Sequence, residues 1–230
     1  MSKRRVLLTG GCGGLGLHVA QAFLVRGDDL TVPIANAGRR QRLVDALGED
    51  MARVETPIAD LTDETAVRAL FEGRTPPHAL VHLVGGFAMG DLDTASLTTL
   101  REQLDLNVVT TFLMLRYGLA AMKAAGHGRI VTVASKAALQ PAPGLGIYAA
   151  AKAAVLALTQ AAAEETKGSD VTANAVLPTV IDTPANRAAM GDAEGDTWVR
   201  PERLAETIVF LCSDAAGDLR GSPVRVFGSV

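Results

Sequence analysis

The stretch Val6-Leu7-Leu8-Thr9-Gly10-Gly11-Cys12-Gly13-Gly14-Leu15-Gly16 indicates how the chain begins to fold. A short apolar run ends in a cluster of glycines, and the glycines lead into an amphipathic segment. Glycines between a strand and a helix permit a tight turn, let backbone N–H groups approach a pyrophosphate, and let the helix pack on the strand. The N-terminus of the helix adds partial positive charge. We therefore predict a dinucleotide phosphate-binding loop.

The end of the second predicted strand bears on which dinucleotide binds. NAD-selective sites usually carry a carboxylate there, about 20 residues beyond the loop, to hold the ribose hydroxyls. This chain has Pro33-Ile34-Ala35-Asn36 instead, followed by Arg39 and Arg40. Guanidinium groups are suited to pairing with a 2′-phosphate. The pattern favours NADP(H), and NAD(H) is the alternative.

Short apolar runs alternate with longer amphipathic segments along the chain. We predict strands at 6–9, 30–34, 53–57, 79–84, 129–134, 171–176 and 224–227, and helices at 15–26, 40–47, 64–72, 97–125, 147–167 and 201–212. Nearly continuous apolar strands are typical of parallel sheets that are covered on both faces. The expected fold is α/β, a single Rossmann-like domain (residues 1–230) with a doubly wound parallel sheet of about seven strands.

Composition and charge disfavour several classes of partner. The 230 residues carry a net charge of −3 and no basic stripe, so we expect no nucleic acid partner. No uninterrupted apolar run approaches the roughly 20 residues that span a bilayer. The two cysteines and four histidines lack metal-ligand spacing. We expect a cytoplasmic protein with neither a metal nor a membrane partner.

A tyrosine and a lysine four residues apart, in Ile147-Tyr148-Ala149-Ala150-Ala151-Lys152, indicate acid–base chemistry. Positions i and i+4 lie on one face of a helix, so the phenol and the ammonium share one space. A nearby cation lowers the pKa of a phenol, which is ordinarily about 10, toward the range useful for proton transfer. Ser135 precedes the pair by a short loop.

Together these motifs resemble the short-chain dehydrogenase/reductase family over essentially the whole chain. The family's glycine loop matches Thr9, Gly10, Gly14 and Gly16, and its adenine-binding pair matches Asp60 and Leu61. Its helix-borne asparagine matches Asn107, and its serine matches Ser135. Its tyrosine–lysine pair matches Tyr148 and Lys152. One motif departs, because the family's Asn-Asn-Ala-Gly is replaced by His82-Leu83-Val84-Gly85. That segment and residues 177–187 are similar to dihydropteridine reductases, which usually lack the serine and asparagine retained here.

The resemblance implies roles for four residues. Tyr148 exchanges a proton with the substrate oxygen, and Lys152 lowers the pKa of Tyr148 and binds the nicotinamide ribose. Ser135 holds the substrate oxygen, and Asn107 anchors a water that links Lys152 to solvent. The predicted cofactor contacts are Gly10, Cys12, Gly13, Gly14, Leu15, Gly16, Arg39, Arg40, Asp60, Leu61, Val84, Gly85, Gly86, Tyr148, Lys152, Pro178, Thr179, Ile181 and Thr183.

The predicted function is hydride transfer between a nicotinamide cofactor and a small-molecule carbonyl or alcohol. A ketone, a 3-oxoacyl thioester and a pterin-like compound remain open as substrates. The alternative is a regulator that senses NADP(H) without turnover. We expect residues 185–200, with Trp198 at their end, to form a short mobile lid, Lys136 to face solvent, and His82 and Phe87 to serve packing.

Two long helices, predicted at 97–125 and 147–167, carry apolar or small residues on more than one face. A helix of this kind needs burial beyond one face of a sheet. Family members associate through these helices, so the resemblance implies a homotetramer or a homodimer.

Overall fold

The computed structural model, which describes residues 4–191 and 195–229, contains a single sheet of seven parallel strands in the order β3-β2-β1-β4-β5-β6-β7. The strands are β1 (Arg5–Thr9), β2 (Asp29–Thr31), β3 (Val54–Glu55), β4 (Ala79–His82), β5 (His127–Val133), β6 (Asp170–Pro178) and β7 (Pro223–Val226). This architecture confirms the predicted doubly wound α/β fold.

Eight α-helices accompany the described strands. They are α1 (Gly14–Arg26), α2 (Arg40–Leu47), α3 (Glu64–Ala69), α4 (Leu97–Leu104), α5 (Thr110–Ala125), α6 (Gly146–Glu164), α7 (Pro184–Met190) and α8 (Pro201–Leu211). Successive side chains of a strand point to opposite faces of the sheet, so β1 contributes to the buried clusters on both faces. Leu8 packs in one buried cluster with Phe23 and Ile208, whereas Leu7 packs in the other with Met114. Helices therefore cover both faces of the sheet.

A π-helical turn, Asp105–Val109, joins α4 to α5 within one continuous helical segment. The predicted helix at 97–125 has the correct bounds, but its pattern gave no sign of this wider turn. Asn107 lies within the turn and is fully buried. Single π-turns frequently mark functional sites because they displace a side chain from the regular α-helical register.

Several bounds differ from the predicted ones, among them the ends of β4 (Ala79–His82) and α3 (Glu64–Ala69), and two differences lie near the site. β2 and β3 are shorter than predicted, because Pro33 and Pro57 cannot donate to the ladder; an isolated bridge between Ile34 and Ile58 continues the pairing. The segment predicted as a lid contains α7, which begins with the Thr183 cap and Pro184 in its first turn. Residues 192–194 of that predicted lid lie outside the described residues.

Two helical segments, Leu97–Ala125 and Gly146–Glu164, are long and apolar enough to cross a membrane by length and composition alone. Both bury side chains in the fold, among them Met114 and Val155, which are 0% and 1% exposed. Core helices that cover a sheet commonly meet the same two criteria.

Candidate active site

The glycine loop lies at the carboxyl end of β1 and is folded tightly on itself. Gly10 has a φ of +73°, and its carbonyl oxygen accepts a hydrogen bond of 2.9 Å from Gly13 N. A Cβ at Gly16 would overlap that same carbonyl oxygen. Gly13 caps α1 without a side-chain hydrogen bond, so the N-terminal N–H groups of α1 are available to an anion.

A cavity of about 380 Å³, the first cavity, opens beside this loop. The predicted cofactor contacts that line it are Gly10, Cys12, Gly13, Arg39, Asp60, Leu61, Val84 and Gly85. Hydrogen bonds from the backbone and side chain of Thr62 lower the pKa of Asp60, so this carboxylate accepts hydrogen bonds at neutral pH. Thr62 and Leu106 also line the cavity, and the sequence analysis did not identify them.

The arginines after β2 are placed differently from one another. Arg39 lines the first cavity, whereas Arg40 begins α2 and is not among the described lining residues. Burial raises the pKa of Cys12, and the positive charges of Arg39 and Arg42 oppose that rise. Arg42 therefore acts on the same loop, although the sequence analysis did not select it.

The end of β4 brings the loop Gly85–Gly86 against the π-turn. Asn107 Nδ2 donates to Gly86 O at 3.2 Å, and Asn107 Oδ1 accepts from Gly86 N at 3.2 Å. A Cβ at Gly85 would lie 2.6 Å from Asn107 Oδ1 and 2.9 Å from Lys152 Nζ. Glycine at position 85 thus lets Asn107 and Lys152 approach the same point.

Ser135, just after β5, and Tyr148, in the first turn of α6, line the same cavity and lie close enough for Ser135 to affect the pKa of Tyr148. Ser135 Oγ also accepts from Ala137 N at 3.2 Å, so the serine caps the short turn Lys136–Ala138 as well. Burial raises the pKa of Tyr148 above 10, and the hydrogen bond from Ser135 partly opposes this rise. The net direction is opposite to the lowering expected from the sequence, because the loss of solvent around the phenol dominates.

Lys152 follows Tyr148 by one turn of α6. Its Nζ lies 5.9 Å from the ring centroid of Tyr148 and donates to Val133 O at 2.9 Å. The side chain is nearly fully buried, and this burial lowers the pKa of Lys152 to about 8. The tyrosine and lysine therefore share one space, as the i, i+4 spacing predicts.

A larger cavity of about 580 Å³, the second cavity, opens in front of these groups. Ser135, Tyr148, Lys152, Pro178, Thr179 and Ile181 line it, and so do residues that the sequence analysis did not assign to the site: Phe87, Met89, Lys136, Leu145, Asn186 and Met190. The Phe87 ring stands edge-on to Tyr148, with centroids 4.9 Å apart. Phe87 thus packs on Tyr148 as expected and also borders the cavity, and Lys136 reaches the cavity from the turn after Ser135.

His82 has the packing role that was expected of it. Its Nδ1 lies 2.7 Å from Thr9 Oγ1 and its Nε2 lies 3.1 Å from Thr110 Oγ1, so one ring links β1, β4 and α5. Burial, assisted by the charge of Lys152, lowers the pKa of His82 to about 3. The imidazole is therefore neutral, and it occupies the place where the resembled motif has an amide.

Thr183 and Trp198 fix the segment that follows β6. The Thr183 side chain lies 2.8 Å from the point where a Cβ on Gly14 would stand, so it reaches the glycine loop. Trp198 is buried beneath Arg187, whose guanidinium lies 6.0 Å from the indole centroid. Arg187 also pairs with Asp182 at 2.5 Å. Within residues 4–191 and 195–229, no group of three or more His, Cys, Asp or Glu side chains is arranged to hold a metal ion.

Known proteins share this fold and sequence pattern. The family pattern described as short chain dehydrogenase matches residues 4–193. A 3-beta-hydroxysteroid dehydrogenase from Comamonas testosteroni is 31% identical over 240 residues, covering 97% of this chain and 94% of its own. An oxidoreductase of the short chain dehydrogenase/reductase family from Burkholderia thailandensis superposes with a TM-score of 0.89, at 29% identity, over 99% of this chain and 92% of its own.

A solved structure from Beutenbergia cavernae, with NADP bound at low occupancy, is 30% identical and superposes with a TM-score of 0.87. The match covers 98% of this chain and 95% of that protein. The chain therefore belongs to the short-chain dehydrogenase/reductase family and is an NAD(P)-dependent oxidoreductase.

Proposed function

We propose that this enzyme interconverts a small-molecule ketone and its alcohol with NADP(H), and that Tyr148 is the acid–base group. The observation that carries the proposal is that Ser135, Tyr148 and Lys152 all line the second cavity. Ser135 and Tyr148 suit a carbonyl oxygen, because both hydroxyl groups can donate to it as negative charge develops.

The two cavities suit an elongated nicotinamide dinucleotide. Gly85 lines the first cavity and Lys152 lines the second, and a Cβ on Gly85 would stand 2.9 Å from Lys152 Nζ. The glycine loop and the N-terminus of α1 would hold the pyrophosphate, and Asp60 and Leu61 would border the adenine. A bound nicotinamide supplies or accepts a hydride at the substrate carbon.

Each residue around the substrate oxygen has a distinct task in this proposal. Ser135 orients the oxygen, and Tyr148 donates a proton to it during reduction or accepts one during oxidation. Burial raises the pKa of Tyr148, so before the cofactor binds the phenol carries the proton that reduction requires. Lys152 adds positive charge next to the phenol, and Asn107 fixes the backbone of Gly86, the neighbour of the Gly85 that approaches Lys152.

The preference for NADP(H) over NAD(H) rests on Arg39. Its guanidinium borders the first cavity at the end of β2, where no carboxylate occupies residues 33–36. A 2′-phosphate there would gain a charge-assisted hydrogen bond, whereas the 2′-hydroxyl of NAD(H) would find no acid to bind.

The same geometry argues against a regulator that senses NADP(H) without turnover. Such a regulator needs the first cavity alone. Here Ser135, Tyr148 and Lys152 instead converge on a separate space of about 580 Å³. Ligand pockets have volumes of roughly this size.

The test compares Tyr148→Phe with Tyr117→Phe. Tyr117 is a surface residue that bonds Glu64, so it is a matched control for loss of one phenol hydroxyl. We expect Tyr148→Phe to bind NADPH normally, measured by fluorescence, and to lose about 100-fold or more in turnover of a ketone panel. Equal turnover in Tyr148→Phe and wild type would contradict the mechanism. Turnover by neither wild type nor control would contradict the function.

We also propose that two or four copies associate through the helical segments 97–125 and 147–167. Leu97, Leu104 and Phe112 are exposed large apolar side chains on the first of these segments. Light scattering coupled to size-exclusion chromatography measures the oligomeric state directly. Replacing Phe112 with Ser should shift the equilibrium toward the monomer. A monomeric wild type would contradict this part of the proposal.

A further inference from the structure

We propose that the second cavity selects a neutral ketone or secondary alcohol whose hydrophobic body extends from the Ser135–Tyr148 pair to an apolar rim formed by Phe87, Met89 and Met190. The inference rests on the proposed function and narrows it, because it chooses among the ketone, thioester and pterin-like substrates. It is drawn from the rim, from the hydrogen bonds of the lining side chains, and from the distribution of charge.

The rim consists of large apolar side chains that water can reach. Phe87 is 62% exposed, Met89 is 69% exposed and Met190 is 60% exposed. They come from two separate segments, the stretch after β4 and the end of α7, yet all three line the second cavity. Contiguous apolar surface at the mouth of a cavity marks a binding site for apolar ligands.

The rim continues directly to the reacting groups. Phe87 meets the ring of Tyr148 edge-on at 4.9 Å, and Leu145 lines the same cavity from the turn that precedes α6. A substrate whose oxygen contacts Tyr148 therefore lies with its body against apolar atoms. Methionine side chains adapt to ligands of irregular shape, which suits alicyclic rings as well as alkyl chains.

Two of the polar side chains in the lining, Thr179 and Asn186, are engaged by the protein itself, and the amide of Gln140 lies at the exposed edge. Thr179 Oγ1 donates to Phe227 O at 3.0 Å, and Asn186 Nδ2 donates to Ile181 O at 2.8 Å. A pterin ring carries several donors and acceptors, and burial in this cavity would leave most of them without partners. An unpaired buried polar group weakens binding strongly, so the lining disfavours such a ring.

The charges in the lining are also engaged. Its two cations are Lys152, which bonds Val133 O, and Lys136, whose Nζ lies 5.4 Å over the Phe227 ring. No carboxylate is present among the described lining residues. Lys136 thus has an aromatic partner already, and the hydrophobic rim remains as the feature that discriminates among substrates.

The experiment measures kcat/KM with NADPH for acetone, cyclohexanone and 2-decalone, together with acetoacetyl thioester and a quinonoid dihydropterin. For wild type we expect kcat/KM to rise from acetone to 2-decalone, and to be at least about tenfold higher for 2-decalone than for the polar compounds. A higher value for the dihydropterin or for the thioester would overturn the inference while leaving the proposed function intact.

Variants of the rim then test the residues themselves. Met89→Ser and Met190→Ser should each lower kcat/KM for 2-decalone by about tenfold through KM, and should lower kcat/KM for acetone by a smaller factor. Phe87 is left intact because it contacts Tyr148. Phe210→Ser is the control, since Phe210 is an exposed apolar residue on α8 that is absent from the cavity lining.

Two results of the variant series would contradict the assignment of the rim. If a rim variant lost kcat/KM by the same factor for acetone and 2-decalone, the substitution would have damaged the active site generally, and the rim would not recognise the hydrophobic body of the substrate. A shift in oligomeric state with unchanged KM would show that a second copy covers the rim. Wild type that turned over no carbonyl compound would instead reject the proposed function, on which this inference depends.

Discussion

The ammonium group of Lys152 lies 5.9 Å from the ring centroid of Tyr148, one helical turn further along α6. Lys152 is buried and Tyr148 is half-buried, and burial shifts the pKa values of the two groups in opposite directions. It raises the pKa of Tyr148 and lowers the pKa of Lys152 to about 8. At pH 7 a lysine with a pKa of about 8 is still largely protonated, so Lys152 keeps its positive charge beside a neutral phenol.

The buried lysine should make stability depend on alkaline pH. Its folded-state pKa of about 8 lies below the ordinary 10.5, so the unfolded chain binds more protons between these values. The free energy of unfolding should therefore increase as pH rises through this window. We expect wild type to gain on the order of 1–3 kcal/mol over Lys152→Met between pH 7.5 and 10.5, measured by urea denaturation. A difference that does not change with pH would refute the shift.

Gly85 should not tolerate even one additional methyl group. Alanine would place its Cβ 2.6 Å from Asn107 Oδ1 and 2.9 Å from Lys152 Nζ, so both polar groups would have to move. We expect kcat to fall roughly 10- to 100-fold in Gly85→Ala. Gly90→Ala is the matched control from the same segment, because nothing lies within 4 Å of its added Cβ. Similar kcat values for the two variants would contradict a role for this close approach.

His82 should stabilise the fold as a neutral bridge. In His82→Leu the buried Thr9 hydroxyl loses its partner, at a cost of about 1–3 kcal/mol in the free energy of unfolding. Adding Thr9→Val removes the orphaned hydroxyl, so the double variant should lose less stability than the sum of the two single variants. Additive losses in chemical denaturation would show that the two residues do not interact.

The same histidine should also destabilise the protein in acid. Its folded-state pKa of about 3 lies below the ordinary 6.5, so the unfolded chain binds the extra proton between these values. Wild type should lose stability relative to His82→Leu as pH falls from 7 to 4. Denaturation midpoints that keep a constant separation over this range would rule out a buried neutral imidazole.

Cofactor preference should change with Arg39 and much less with Arg40. We expect Arg39→Gln to weaken NADPH binding by about tenfold and to leave NADH binding unchanged, because only NADPH carries the 2′-phosphate. Arg40→Gln serves as the control, since Arg40 is not among the described residues that line the first cavity. Fluorescence titration of both variants with both cofactors provides the measurement. A similar loss of NADH affinity in Arg39→Gln would show that the arginine does not recognise the phosphate.

Local patterns in the sequence predict much of the fold. Glycines 10, 13 and 16 form a turn in which neighbouring backbone atoms leave little room for a side chain. The strands that follow are recognisable as apolar runs. The prediction missed α7, which is seven residues long, because so short a helix gives little periodicity. It also overextended β2 and β3 across prolines.

Properties that depend on three-dimensional burial were predicted less well. The pairing of Tyr148 with Lys152 follows from their spacing, but the direction of the tyrosine pKa shift depends on the solvent that other segments exclude. Phe87 reaches the second cavity from the loop after β4, and Met190 reaches it from the end of the short helix α7, and no local pattern specifies the course of either segment. The sequence likewise gave no indication of the π-turn that holds Asn107.

That π-turn has a consequence for length variants of this chain. It accommodates one residue more than the α-helical repeat, so deleting one residue within 105–109 would restore an ordinary helix. The helices on either side would keep their relative register, and Asn107 would lose the displaced position from which it bonds Gly86. Single-codon deletions in this stretch should therefore yield well-folded protein with an impaired site. A screen that selects only for expression or thermal resistance would retain them.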